Sequence, residues 1–321
     1  MEEVHNLLML IKMSEVEIKE VFWLWYPYIA LGKITIIQGD PGEGKTTFIL
    51  YLISLLSRGL KLPFDDRIRL PINIIYQSAE DGLADTIKPR LIKTGADCSK
   101  ILVIDDTNME LSMTDERLEE ALKETGAQLL VLDPLQAYLG AQVDMHRANE
   151  IRPVLKRLGA LAEKYNCAIV LIGHMNKAYG AKSTYRGLGS IDFQAAARSV
   201  LIVGRLKDRP NVRVVAHDKS SLAPEGQAIA FELDEEEGLK MLGHYDISVD
   251  DLLSGANKEN KLDKAETLLE DILNNGSMPQ SEVMKRANEL EISKRVLDQA
   301  KKNLGIKSYR SQNKWYWQLG D

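Results

Sequence analysis

The residues Gly39-Asp40-Pro41-Gly42-Glu43-Gly44-Lys45-Thr46 combine three glycines, a lysine and a hydroxyl in the order Gly, four residues, Gly-Lys-Ser/Thr. This is the phosphate-loop pattern. Glycines let successive backbone N–H groups curl around phosphate oxygens, and a helix N-terminus adds positive potential. An apolar strand, Lys33–Gln38, precedes the loop, and an amphipathic helix from Thr46 follows it. Lys45 is expected to neutralise the β- and γ-phosphates of a bound nucleotide, and the Thr46 hydroxyl to ligate Mg²⁺. Gly39 to Thr46, with Thr47 beside them, form the expected nucleotide cradle.

A Mg²⁺-nucleotide site also needs a carboxylate at a strand end. Leu129-Leu130-Val131-Leu132-Asp133 supplies one, with Asp133 expected to hold the ion through water. No glutamate follows Asp133 to activate a water. The apolar run Ile74–Gln77 leads into Ser78-Ala79-Glu80-Asp81 and offers a replacement. Glu80 or Asp81 could face the γ-phosphate, and spacing alone does not separate them. A further strand, Ala168–Ile172, ends in Gly173-His174-Met175-Asn176-Lys177. His174 there reads as a sensor beside the γ-phosphate, and the Gly-, Lys-, Ser- and Arg-rich stretch Ala178–Gly189 as a loop that could line a channel. Neither Cys98 nor Cys167 has a partner nearby, and the other histidines lack ligand spacing.

These side chains need a scaffold that brings several strand ends together. Ile34–Gln38, Ile72–Gln77, Ile101–Ile104, Leu129–Leu132, Ala168–Ile172 and Val200–Val203 read as buried strands. Thr46–Ser57, Asp115–Thr125 and Glu150–Tyr165 read as helices between them. The alternation predicts an α/β fold with a mainly parallel twisted sheet covered on both faces. Val212–His217 and Ile229–Leu233 read as a later antiparallel addition. The 321 residues leave room for about two domains. The apolar runs are far too short to span a bilayer, which takes ~20 residues. Two cysteines cannot make a disulfide framework, so a reducing cytoplasm is expected and a secreted or membrane-spanning protein is not.

The net charge of −6 is unevenly spread. Within residues 280–314 nine Lys/Arg face four Asp/Glu, or +5. The pattern divides the chain into an α/β domain over 1–253 with a lead-in at 1–30, a polar linker at 254–260 and a small basic domain at 261–321. Three helix-like segments, Lys261–Leu273, Gln280–Leu290 and Ser293–Asn303, precede a hairpin-like stretch, Ile306–Leu319, that carries Tyr309, Trp315, Tyr316 and Trp317. Ser281 and Ser293 sit where helix N-caps belong. Three helices and a wing make a winged helix-turn-helix, whose basic face suggests a polyanion partner.

The order of these motifs resembles the RepA-like (AAA_25) family, RecA-fold, hexamer-forming ATPases of plasmids and prophages related to the replicative helicase RepA. The likeness starts near Met13-Ser14-Glu15, which makes residues 1–12 read as an upstream start or a short extra helix. It runs through Trp23–Tyr26, Leu31–Thr35, the phosphate loop, Ala79–Asp81, Leu129–Asp133, Gly173–Lys177, Arg186-Gly187-Leu188-Gly189-Ser190 and Ala197-Arg198-Ser199 to Lys219–Gly226. It implies a RecA-like ATPase core, ATP and Mg²⁺ as cofactors, and Glu80 as the catalytic base. Arg198 matches an arginine finger that reaches the neighbouring subunit, with Lys219 at a second trans cation; the family often has an Arg where Ser221 stands. The tail resembles the winged helix of relatives, in which Lys294, Arg295, Lys301, Lys302, Lys307, Arg310 and Lys314 would contact DNA. The implied function is Mg²⁺-dependent ATP hydrolysis coupled to DNA binding or translocation by a hexameric ring. The alternative is a nucleotide-gated DNA-binding switch, a regulator or loader without unwinding activity. A small-molecule P-loop kinase would need an Arg-rich lid, which the sequence lacks.

Overall fold

Short runs of β-branched and leucine side chains, bounded by polar or glycine residues, form the strands. The computed structural model describes residues 10–140, 143–145, 147–175, 191–234, 238–254, 261–274, 276–290, 292–311 and 314–319. Asn176 and Lys177, the Ala178–Gly189 stretch, the Arg186–Ser190 segment and 255–260 of the linker lie outside the described residues. In chain order the elements are β1 (Trp23–Trp25), β2 (Ile29–Ala30), β3 (Ile34–Gly39), α1 (Lys45–Ser57), β4 (Ile74–Ser78), α2 (Lys88–Lys93), β5 (Ile101–Leu102) and α3 (Glu116–Thr125). Next come β6 (Leu129–Asp133), α4 (Ala148–Tyr165), β7 (Ala168–His174), α5 (Ile191–Ala196), β8 (Ser199–Arg205), β9 (Val212–Ser220), β10 (Ala228–Asp234), β11 (Gly238–Tyr245) and α6 (Val249–Ser254). The chain continues with α7 (Lys261–Leu273), β12 (Met278–Pro279), α8 (Gln280–Glu289), α9 (Lys294–Asn303), β13 (Lys307–Ser311) and β14 (Lys314–Gln318).

One sheet of nine strands runs β11-β10-β9-β8-β3-β7-β6-β4-β5. The six from β8 to β5 are parallel, and β9, β10 and β11 continue antiparallel. The α/β fold with a mainly parallel sheet expected from the alternation is the one observed. Because side chains alternate between faces, Ile34, Ile36, Leu130, Leu132, Ile169 and Leu171 join one apolar cluster with α3 and α4. Ile37, Leu129, Val131, Val170 and Ile172 join the other with α1 and α2. Each such fully buried side chain stabilises the fold by about 1.5–3 kcal/mol. Helix α1 is apolar nearly all round because the β1–β2 hairpin covers it too, with Trp25 5.9 Å from Phe48. Asp115 caps α3 by accepting from the Arg117 N–H, and Gly126 ends it at φ +61°.

Several boundaries differ from expectation. The strand expected at Ile101–Ile104 keeps only Ile101–Leu102, beyond which Gln77 pairs with the backbone of Ile104 instead. Strand β11 is hard to read from the sequence because Gly238, Gly243 and its own bulge at Leu242, which has no partner between Ala230 and Phe231, break the alternation. Ser281 is not an N-cap: α8 begins at Gln280 behind Pro279, with no side-chain cap among the described residues. Ser293 does cap α9, its Oγ accepting from the Val296 N–H at 3.4 Å. A third apolar cluster lies wholly within residues 262–317, where Leu269, Val283, Leu297, Ala300 and Trp317 meet.

His217 of β9 is buried between sheet and loop. The Gly226 N–H donates to its Nδ1 at 2.9 Å, so Nε2 carries the proton and meets Ser199 Oγ at 2.9 Å. The ring stacks on Tyr28, 5.5 Å away. Burial lowers the imidazole pKa from 6.5 to about 4. The fold therefore favours the neutral ring, and this contribution is complete above pH 6.5 and lost as pH falls from there through about 4. The full swing is about 3 kcal/mol. Urea melts between pH 7 and pH 4 should show this loss, and His217→Asn, although less stable at pH 7, should lack that share of the acid slope.

Candidate nucleotide site

Parallel strands deliver their C-terminal ends to one rim of the sheet. Gly39 of β3 lies beside His174 of β7 in register, and Ser78 of β4 beside Asp133 of β6. The loop after β3 can turn there only because Gly39 lacks a side chain: a Cβ would sit 2.2 Å from the Val203 carbonyl oxygen of β8. Gly44 closes the loop at φ +85°, a left-handed conformation that glycine adopts without strain, and immediately precedes α1. Among the described residues no side chain caps α1, so its first-turn N–H groups keep their capacity to bind an anion.

Lys45 is 4% exposed and turns back under the loop. Its Nζ donates to the carbonyls of Gly39 and Asp40, both at 2.9 Å, and lies 3.3 Å from His174 Nδ1. Burial lowers its pKa, against the pull of Asp133, Asp40, Glu43 and Glu80. Thr46 Oγ1 donates to Asp133 Oδ2 at 2.7 Å, and the Tyr76 hydroxyl donates to the same oxygen at 3.0 Å. Asp133 is 7% exposed, and burial raises its pKa while these two hydrogen bonds lower it. His174 Nε2 lies 3.4 Å from Glu80 Oε1, whose side chain is 62% exposed at the mouth of the site. Asp81 turns away and pairs with Arg90 at 2.9 Å. The rim thus brings together Lys45, Thr46, Asp133, His174 and Glu80.

It does not bring Arg198 or Lys219 there. The Arg198 N–H donates to the Ile34 carbonyl, at the opposite end of β3 from Gly39. Five residues of strand separate the two, roughly 16 Å. The Arg198 side chain is exposed. Lys219 directs its Nζ at the carbonyls of Gln194, Ala195 and Ala197, at 2.6, 3.3 and 2.9 Å, and so caps the end of α5. On α9 and the hairpin, Lys294, Arg295, Lys302, Lys307 and Arg310 are exposed. Lys301 instead donates to Ser308 Oγ at 2.5 Å and lies 4.3 Å over the Trp317 ring.

Sequence reading missed four contributors. Tyr76 holds Asp133, and its place as a hydroxyl-bearing residue in an apolar strand was a usable signal. Gln136 donates from Nε2 to the His174 carbonyl at 3.5 Å, and its Oε1 is buried without a partner among the described residues. Arg205 and Arg213 flank Glu43 of the loop at 3.7 and 3.8 Å, and Arg205 also reaches the Gly42 carbonyl at 3.4 Å. Burial raises the Glu43 pKa and the two arginines lower it. Only the charge of Arg213 inside Val212–Ala216 hinted at this brace.

Fold and rim together define a P-loop ATPase with a RecA-like core. The model of the AAA domain family AAA_25 matches residues 3–180, and the chain belongs to that family. Among curated proteins it is similar to the DNA repair protein RadA of Streptococcus pneumoniae, 27% identical over 149 residues, which are 46% of this chain and 31% of RadA. RadA of Halalkalibacterium halodurans is 24% identical over 151 residues, covering 46% and 29%. The matched stretch is less than a third of these relatives' length. Among solved structures, one described as an ATPase domain superposes with a TM-score of 0.50 at 15% identity, over 66% of this chain and 84% of that one, which shows the shared fold.

Tyr76→Phe removes one of the two donors to Asp133 and should cost about 1.5–3 kcal/mol in a urea melt. In an Asp133→Asn background the same change should cost much less, because the two residues act on one interaction.

Proposed function

We propose that the chain hydrolyses ATP with Mg²⁺ and couples the reaction to DNA binding and translocation as a homo-oligomeric ring. One observation carries the catalytic part: His174 spans from Lys45 at 3.3 Å to Glu80 at 3.4 Å, while Thr46 and Asp133 meet 2.7 Å apart beside them. A hydroxyl and a carboxylate are hard oxygen donors of the kind Mg²⁺ takes together with waters and phosphate oxygens. In this reading Thr46 and Asp133 would hold the ion, whose charge would neutralise the phosphates when bound. The phosphate-loop N–H groups and Lys45 bind and orient the phosphates. Glu80 orients the attacking water and accepts its proton. His174 senses the γ-phosphate through Lys45 and Glu80.

The ring part is supported by Arg198. It is exposed and its backbone lies roughly 16 Å of strand from its own loop, so in this reading it serves the site of an adjacent copy. Lys219, engaged with the end of α5, serves to order the turn that carries Arg198. The DNA part is supported by the RadA relatives, named as DNA repair proteins, and by the basic C-terminal segment. We assign residues 1–253 as the ATPase domain, 254–260 as linker and 261–321 as a winged-helix DNA-binding domain.

Lys45→Ala should abolish ATP turnover. Arg198→Ala should lower turnover by about 10³-fold or more while ATP binding, followed by titration calorimetry, stays nearly intact. Mixing Arg198→Ala with Lys45→Ala subunits should restore part of the activity, since each supplies what its neighbour lacks. Normal hydrolysis by Arg198→Ala alone would refute the trans assignment.

A further inference from the structure

The two faces of the β13–β14 hairpin differ in a way the charges alone do not reveal. Cross-strand pairs are Ser308↔Trp317, Tyr309↔Tyr316 and Arg310↔Trp315. Alternation puts Trp317, Trp315, Ser308 and Arg310 on one face, and Tyr316 and Tyr309 on the other. On the second face the tyrosines satisfy each other. Their rings stack at 5.7 Å and 17°, and the Tyr309 hydroxyl reaches Ser277 Oγ at 2.6 Å. On the first face Trp317 is buried in the core under Lys301. Trp315 lies on the same face and is 51% exposed, with Arg310 directly opposite it on β13. Lys314 adjoins Trp315, and Lys307 and Lys302 lie on the same exposed, basic segment.

An exposed indole costs hydration free energy unless something covers it, and its neighbours here are cations. A duplex offers a basic hairpin its phosphates and base edges, which use the cations and leave the indole face idle. An unpaired base offers a π-face for the indole and a phosphate for the guanidinium at once. We propose that the Trp315–Arg310 face is a stacking platform for unpaired bases, so that the C-terminal domain binds single-stranded DNA through its wing in preference to duplex. This rests on the DNA-binding reading above and names the form of DNA and the side chain that selects it.

The test is fluorescence anisotropy of a labelled oligothymidylate and of a blunt duplex of equal length, titrated without ATP with the full chain. Wild type, Trp315→Ala, Trp315→Phe and Arg310→Ala are compared, with thermal midpoints confirming that each is folded. Trp315→Ala should weaken single-strand binding about tenfold, the scale of losing one base stack, and leave duplex binding within about twofold. Trp315→Phe should recover most of that loss. Arg310→Ala should weaken both substrates and flatten their salt dependence. Binding by wild type that Trp315→Ala leaves unchanged, or weakens equally for both DNAs, overturns this inference while the DNA reading stands. A wild type that binds neither DNA overturns both.

Discussion

The structure turns on one buried ammonium. Lys45 carries its charge into a site that is 4% exposed, and burial alone would drive it toward the neutral form. It stays compatible with the fold because two loop carbonyls and an imidazole nitrogen surround it and four carboxylates lie near. Those carbonyls belong to Gly39 and Asp40, so the same contacts that solvate the lysine also curl the loop. A phosphate oxygen arriving at the α1 N-terminus offers Lys45 a stronger, charged acceptor in place of neutral ones. Nucleotide binding and loop geometry are therefore one equilibrium, and His174 touches it directly.

That constraint explains the arrangement around it. Lys45 needs β3 to end where β7 and β8 flank it, which the parallel register provides. Asp133 must be near but occupied, and Thr46 and Tyr76 both donate to it. The loop crown is braced from the antiparallel side, where a Cβ on Gly44 would meet Leu233 at 3.0 Å and where Arg213 approaches Glu43. Strands β9 and β10 thus do more than widen the sheet: they set the wall against which the phosphate loop rests.

The parallel core was legible because the central strands are apolar runs leading into polar residues, interrupted in β3 only by Thr35, and both signals survive in one dimension. The rim was legible for the same reason: Lys45, Asp133, Glu80 and His174 all follow such runs. What distinguishes Glu80 from Asp81 is three-dimensional: His174 of β7 approaches the one and Arg90 pairs with the other. Tyr76, Gln136, Arg205 and Arg213 were missed because their roles depend on what faces them across the sheet. Lys219 and Lys301 show the converse. Each looks from the sequence like an exposed cation, and each finds acceptors within its own chain, at the end of α5 and on β13.

In the proposed mechanism catalysis belongs to two copies: one supplies the rim, the other Arg198. The most direct measurement is the steady-state ATPase rate per subunit over a protein concentration series, with and without single-stranded and duplex DNA. Shared sites predict a rate per subunit that rises with concentration to a plateau and is stimulated by single-stranded DNA. Tight ATP binding with a slow rate independent of both concentration and DNA would contradict them and favour a nucleotide-gated switch.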